Sequence, residues 1–203
     1  MGPLPIKVNI FILEDGNFGS ELKYYIQDLA SAGRLRRGHI REDSPVFSVS
    51  LDAAGLKSYH NKISSSSSPY YSIIGSDDTE VRHKLSELIV KPCMSFKHYS
   101  VVDYGSCGKG SIVLPGVVIG PKAVLAEHVL CKANSTIGAN VQIGECSVVD
   151  QNVSVGANTK IGDRVHIGAG AVIKENLLIG SGIIIKMGEI VTQNRTIGDI
   201  NES

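Results

Sequence analysis

The chain has 203 residues, with 20 Lys+Arg against 20 Asp+Glu, four Cys and no Trp. That length allows one domain or two small ones, each able to bury a core. The charge is balanced on both sides of residue 94, which argues against nucleic acid or an anionic membrane surface as partner, because such proteins concentrate positive charge. The cysteines lack regular spacing, so they form neither a disulfide framework nor a CxxC metal knuckle, as suits a reducing compartment. Met1-Gly2-Pro3-Leu4-Pro5 has no basic and then apolar character, and Ile6 stands where a myristoylation signal needs Ser or Thr. No apolar run approaches the ~20 residues of a membrane span. The expectation is a soluble cytoplasmic protein.

Ile6–Leu13 is an apolar run of strand type, followed by the turn Glu14-Asp15-Gly16-Asn17-Phe18-Gly19. Leu22–Leu29 has its apolar residues at helical spacing. Val46–Val49 predicts a short strand, and the serine run Ser64–Ser68 before Pro69 predicts a surface loop. Tyr70–Ile74 predicts another strand, and Gly75-Ser76-Asp77-Asp78 leads into a helix near Thr79–Ile89. Strand, glycine turn and helix in alternation indicate a small Rossmann-like α/β domain with a parallel sheet, over residues 1–94. Its ligand crevice is expected outside the carboxyl ends of the strands.

Residues 95–203 follow another rule. Stepping by six from Val101 to Ile197, every one of 17 positions is Val, Ile, Leu or Cys, including Cys107, Ile119, Cys131, Ile143 and Ile167. A helix needs a period of about 3.6 and a simple strand a period of 2, so a hexad fits neither. It fits one short strand and one corner of a left-handed parallel β-helix, with the apolar residue inward. Seventeen hexads make roughly 5.7 coils about 4.8 Å apart. The next residue is Gly at nine of the 17 positions, which we expect to supply the freedom for the turn. Small or β-branched residues four places on, such as Ala123, Ser135, Val153 and Thr159, should fill the rest of the interior. Cys107 and Cys131 read as small core hydrophobes.

An α/β domain followed by a hexapeptide β-helix resembles the sialic-acid O-acetyltransferase family, with the bacterial N-acetyltransferases that act on nucleotide-linked amino sugars. Its first strand ends in a Gly-rich turn, of which Gly16 and Gly19 are kept here, while Glu14 brings negative charge to the first glycine position. A paired acidic motif before Pro matches Glu42-Asp43-Ser44-Pro45, and an Ile-Gly turn with an acidic residue matches Ile74-Gly75-Ser76-Asp77. The resemblance implies that Gly16, Gly19, Glu42, Asp43, Gly75 and Asp77 bind a nucleotide-linked sugar. It also implies acetyl-CoA as acyl donor, a homotrimer with donor sites between neighbours, and a role in bacterial polysaccharide synthesis.

The same resemblance places a catalytic His four residues before an Ile-Gly pair, followed by an acidic residue. Here Ala139 and Asn140 hold those places ahead of Ile143-Gly144, and a second family His falls at Val148. The family's C-terminal Gly-Asn-Pro-Ala segment is replaced by Thr196-Ile197-Gly198-Asp199. His98, His128 and His166 read as structural or corner residues, and none has the His partners that a shared zinc would need, so no metal is expected. By matched position the thioester carbonyl would be polarised by the amide of Ala157, beside Gly156. A hydroxyl acceptor needs a base, whereas a neutral amine is already nucleophilic. An active enzyme should therefore N-acylate an amino sugar. The alternatives are an inactive homologue that binds nucleotide-sugar or serves as a scaffold, and a purely structural β-helix.

Overall fold

The computed structural model describes residues 9–14, 16–31, 44–89, 95–98, 102–103 and 105–196. The chain clusters into two compact units, Met1–Ser76 with Leu88–Met94, and Asp77–Glu87 with Ser95–Ser203.

In the first unit the chain runs β1 (Asn9–Glu14), α1 (Asn17–Ser31), β2 (Val46–Ser50), α2 (Ala53–Ser65) and β3 (Tyr70–Gly75). The three strands are parallel in the order β2-β1-β3, so Glu14 stands level with Ser50 on one side and Gly75 on the other. Ile10, Phe11, Ile12 and Leu13 are buried in succession, as expected for a central parallel strand covered on both faces. Phe11 stacks on Phe47 with centroids 5.2 Å apart and meets Tyr59 edge-on at 5.5 Å. Helix α2 was not anticipated from the sequence, and it takes in Ser64 and Ser65, so only the end of the serine run is loop. Its start is capped by Asp52, whose Oδ1 accepts from Gly55 N at 2.6 Å. Its end tolerates serine because Ser65 Oγ donates to Asn61 O at 2.8 Å.

The second unit contains α3 (Thr79–Leu88) and two-residue strands from β4 (Phe96–Lys97) to β20 (Ile190–Val191). These form three parallel sheets of six, six and five strands, the faces of the left-handed β-helix that the hexads predict. The first face carries Phe96, Ile112, Leu130, Val148, His166 and Ile184; successive coils on the second place Ile119, Ile137, Val155, Ile173 and Val191 in line. From Cys107 on, the six-residue phase holds. Before it the register shifts by two: Asp103, not Val101, stands opposite Ile119. The first coil has a neighbouring coil on one side only, which leaves its register less constrained.

The interior is filled as expected, with Ile137, Val141, Val149, Val165, Ile167 and Ile179 at 0 % exposure. The inward hydroxyls are satisfied by neighbouring carbonyls: Ser147 Oγ donates to Gly162 O at 2.9 Å and Thr159 Oγ1 to Lys174 O at 3.0 Å. Cys131 lies among these residues, and burial pushes its thiol well above the ordinary range.

The glycines need a correction. Left-handed backbone occurs three residues after the inward residue, not one: at Asn134, Asn140, Asn152, Asn158 and Asn176, at Gly110, Gly116, Gly170, Gly182 and Gly188, and also at Lys122, His128, Cys146 and Arg164. Asparagine and glycine populate that region at least cost. The Gly directly after the inward residue answers another demand. A Cβ on Gly120 would lie 2.7 Å from Ala139 N, and one on Gly138 2.7 Å from Ala157 N, so stacking of the coils excludes a side chain there.

On the first face Ile112, Leu130 and Val148 point outward yet are fully buried. Helix α3 is anchored along this face. Arg82, itself 0 % exposed, donates from Nε and Nη2 to His128 O at 3.0 and 2.6 Å. Glu80 approaches Arg164 at 3.4 Å. Among the described residues, no helix is long and apolar enough to cross a membrane.

Candidate functional site

One group of sequence-predicted residues falls on the first unit and a second on the β-helix. The order β2-β1-β3 creates a switch in strand order at the carboxyl end of β1, where open α/β sheets bind ligands. Gly19 and Gly75 meet there: a Cβ on Gly75 would lie 3.1 Å from Gly19 Cα and 2.6 Å from Ile12 Cγ2. Glu14 turns its side chain over Gly19, where any Cβ would overlap it, and Glu14 Oε2 is buried without a hydrogen bond from the described residues. A carboxylate at the first turn of α1 repels phosphate and invites N–H or O–H donors. Gly16 faces open space. Glu42 and Asp43 lie outside the described residues.

Gly156 and Ala157 stand on a corner of the β-helix, both half-buried. Gly156 N donates to Ile173 O at 2.8 Å, which holds the next coil. Ala157 N has no acceptor among the described residues, while its carbonyl accepts from Asn176 N at 2.9 Å. At the equivalent corner position Glu145 N donates to Asp163 Oδ1 at 2.8 Å and Asp163 N to Ser181 Oγ at 3.0 Å, whereas Ala139 N, stacked on Ala157, is open in the same way. The Ala157 amide is therefore open to a ligand carbonyl. Ala139 occupies the same column one coil earlier, so the residue matching the family base and the residue matching the oxyanion donor are stacked neighbours. Asn140 is engaged in a ladder, Nδ2 to Asn158 Oδ1 at 3.0 Å and Asn158 Nδ2 to Asn176 Oδ1 at 3.2 Å.

A third group was not recognised from the sequence. Asp77 Oδ2 lies 2.7 Å from Lys132 Nζ, which lies 2.8 Å from Asp150 Oδ1, and Asp150 Oδ2 lies 3.0 Å from His166 Nε2. Lys132 and Asp150 each directly follow an inward residue of the first face and are 18 residues apart, so they stack on adjacent coils. Burial acts on the Asp150 carboxyl upward, but the bonds from His166 and Lys132 prevail and hold it below its ordinary value. The Lys132 ammonium is held above its own, its two carboxylates outweighing burial. Both groups are charged across the neutral range. Stacking arithmetic could have paired Lys132 with Asp150, but nothing in the sequence pointed to Asp77 as their partner. His128 takes a left-handed conformation and is 6 % exposed, serving through its carbonyl as the anchor of Arg82. No group of three or more candidate metal ligands occurs among the described residues.

The family described as bacterial transferase hexapeptide (six repeats) matches residues 140–175. No curated protein sequence matches the chain. Among solved structures, a histidine-to-alanine mutant of GDP-perosamine N-acetyl transferase from Caulobacter crescentus, in complex with CoA and GDP-perosamine, is similar at TM-score 0.73 and 17% identity, covering 92% of this chain and 90% of that one. The acetyltransferase domain of PglB from Neisseria gonorrhoeae FA1090, in complex with acetyl coenzyme A, is similar at TM-score 0.73 and 18% identity, covering 95% and 94%. WeeI from Acinetobacter baumannii AYE is similar at TM-score 0.54 and 21% identity, covering 93% of each. The chain thus carries hexapeptide repeats and shares the fold of these left-handed β-helix proteins.

Proposed function

We propose that the chain transfers the acetyl group of acetyl-CoA to the amine of a nucleotide-linked amino sugar. The observation that carries this reading is the open Ala157 amide on a fold shared along nine-tenths of its length with proteins that bind CoA and GDP-perosamine. The thioester carbonyl oxygen accepts from Ala157 N–H, which stabilises the negative charge that grows as the carbonyl carbon becomes tetrahedral. A neutral sugar amine supplies the lone pair, so attack does not require a His at Ala139. Gly19, Gly75 and Glu14 offer backbone and carboxylate groups to the nucleotide end. Glu42, Asp43, Gly16 and Asp77 are assigned to the same end by resemblance, and a place in bacterial polysaccharide synthesis follows from the same assignment.

The test is the thermal midpoint with and without millimolar acetyl-CoA, followed by thiol release with GDP-perosamine as first acceptor. A ligand at 100 times its dissociation constant stabilises the fold by about 2.7 kcal/mol. A clear rise in midpoint with thiol release supports the transferase. No shift with either acetyl-CoA or CoA overturns it in favour of a nucleotide-sugar-binding or scaffold homologue, the reading favoured by the Ala139 and Val148 substitutions and by the Asn140 ladder.

We further propose a homotrimer. Val172, Ile184, Met187 and Ile190 are exposed at 42 %, 73 %, 80 % and 69 % on the last coils. Ile184 lies on the first face and Val172 and Ile190 on the second, with Met187 at the corner between them. Exposed apolar groups mark an association surface, and a heterologous contact closes naturally into a ring. Sedimentation equilibrium at micromolar concentration should give three times the chain mass; a monomer overturns the proposal.

A further inference from the structure

We propose that Glu175 is the proton acceptor of the acyl transfer, one coil beyond the Ala157 amide where Ala139 stands one coil before it. This rests on the transferase reading above. A base has to share the corner that holds the thioester carbonyl. In that reading it is the corner between the second and third faces, where Ala157 joins β14 (Ser154–Val155) to β15 (Lys160–Ile161). The glycines of this corner define one column along it. A Cβ on Gly120 would meet Ala139 N, one on Gly138 would meet Ala157 N, and one on Gly156 would meet Glu175 N. Ala139, Ala157 and Glu175 therefore stack on successive coils, about 4.8 Å apart. A glutamate side chain is long enough to span one such spacing. Of the two neighbours of Ala157 in the column, only Glu175 can accept a proton.

The rest of the corner offers no rival. It comprises residues 120–123, 138–141, 156–159, 174–177 and 192–195, and Glu175 is the one carboxylate among them. Its other charged residues, Lys122, Lys174 and Arg195, are cations, and it contains no His. His166 lies on the first face, and His128 on the corner between the third face and the first. Glu175 is exposed, and its carboxylate has no ion pair or hydrogen bond among the described residues, so it is free to meet a ligand. Its backbone is fixed against the coil of Ala157 from both sides: Thr159 Oγ1 donates to Lys174 O at 3.0 Å, and Asn176 N to Ala157 O at 2.9 Å. Beyond Glu175 the last turn is shorter, because Ile161 pairs with Ile179 but Ile179 pairs with Arg195. There Lys174 takes the place that Gly120, Gly138 and Gly156 hold where full coils stack.

The chemistry balances without any further reactant. The amine lone pair forms the C–N bond at the thioester carbon, whose oxygen accepts from Ala157 N–H. The surplus proton on nitrogen, made acidic by the new bond, passes to the Glu175 carboxylate. The C–S bond then breaks with its electron pair leaving on the CoA sulfur, which takes the proton from Glu175 and regenerates the carboxylate.

The test compares wild type with Glu175→Gln and Glu175→Ala, with acetyl-CoA and GDP-perosamine as substrates. Both variants should keep the midpoint shift by acetyl-CoA and the KM for it, while kcat falls on the order of 100-fold. Added formate should restore kcat in Glu175→Ala, where truncation leaves room for a small carboxylate, and should do nothing in Glu175→Gln, whose amide fills the place. A residue that only shaped the corner would show no such rescue. Glu145→Gln, which alters an exposed carboxylate on the corner between the third face and the first, should turn over like wild type. Unchanged kcat in Glu175→Gln, or a loss in Glu175→Ala that formate does not relieve while acetyl-CoA still binds, overturns the assignment of the base and leaves the transferase standing. A wild type that neither binds acetyl-CoA nor releases thiol overturns the transferase, and this inference with it.

Discussion

Gly156→Ala should destabilise the β-helix by about 3 kcal/mol or more, although it adds a single methyl group. The added Cβ would overlap Glu175 N and lie 2.7 Å from Glu175 Cα and from the Lys174 carbonyl carbon. All three atoms are backbone of the next coil, and that coil is tied to Gly156 by the hydrogen bond its N–H donates to Ile173 O at 2.8 Å. Neither side can move without breaking the ladder. The comparison variant is Gly170→Ala. Gly170 has φ +70° and nothing within 4 Å of its Cβ position, so its cost is conformational and roughly 1–2 kcal/mol. Urea melts of the two variants should therefore separate by at least 1 kcal/mol, with Gly156→Ala the weaker protein. Equal losses would show that coil stacking is looser than the 2.7 Å approach implies. Because Ala157 follows Gly156, coil separation should also weaken the midpoint shift by acetyl-CoA, and Gly170→Ala should leave that shift intact.

The second large effect is expected at Arg82. Its guanidinium is fully buried and donates twice to the carbonyl of His128. Arg82→Ala leaves that carbonyl without these two donors and removes a fully buried side chain, for a combined loss of about 3 kcal/mol. Arg82→Lys should lose nearly as much. Its ammonium retains the charge, but it lacks the planar fork that places two N–H groups on one oxygen. Limited proteolysis should then cut within α3, ahead of any cut in the coils, while Lys84→Ala on the exposed side of the same helix stays within about 0.5 kcal/mol of wild type. If Arg82→Ala melts like wild type, α3 is held by its apolar contacts alone.

Both predictions turn on contacts that differ in how far they can be read along the chain. The coil-to-coil contact at Gly156 is periodic. Residues 18 apart stack wherever the six-residue pattern holds, so the neighbours of Gly156 and the shared column of Ala139 and Ala157 follow from counting. What counting missed was the reason for each glycine, since close stacking and positive φ both select Gly and only geometry separates Gly156 from Gly170. It also missed the register shift at Asp103, because Val101 satisfies the apolar pattern equally well. In the first unit, strands with continuous apolar runs such as Ile10–Leu13 were readable, but α2 was not: its cap Asp52 precedes a Gly and a run of polar residues with little helical periodicity.

The array ending at His166 shows the same division. Lys132 over Asp150 is stacking, and it lies within reach of sequence reasoning. Asp77 over Lys132 is not, because it depends on α3 being anchored on the first face by Arg82, and no local pattern encodes where a ten-residue helix docks. By itself the sequence determined the β-helix, its three faces, the inward set and the parallel α/β sheet, because periodic burial of apolar side chains is written in the order of residues. Only the tertiary structure decided which polar groups meet: Glu14 over Gly19, the open amide of Ala157, and Asp150 against His166. Hydrogen bonds and ion pairs act over about 3 Å, so they depend on placements that residue periodicity leaves open.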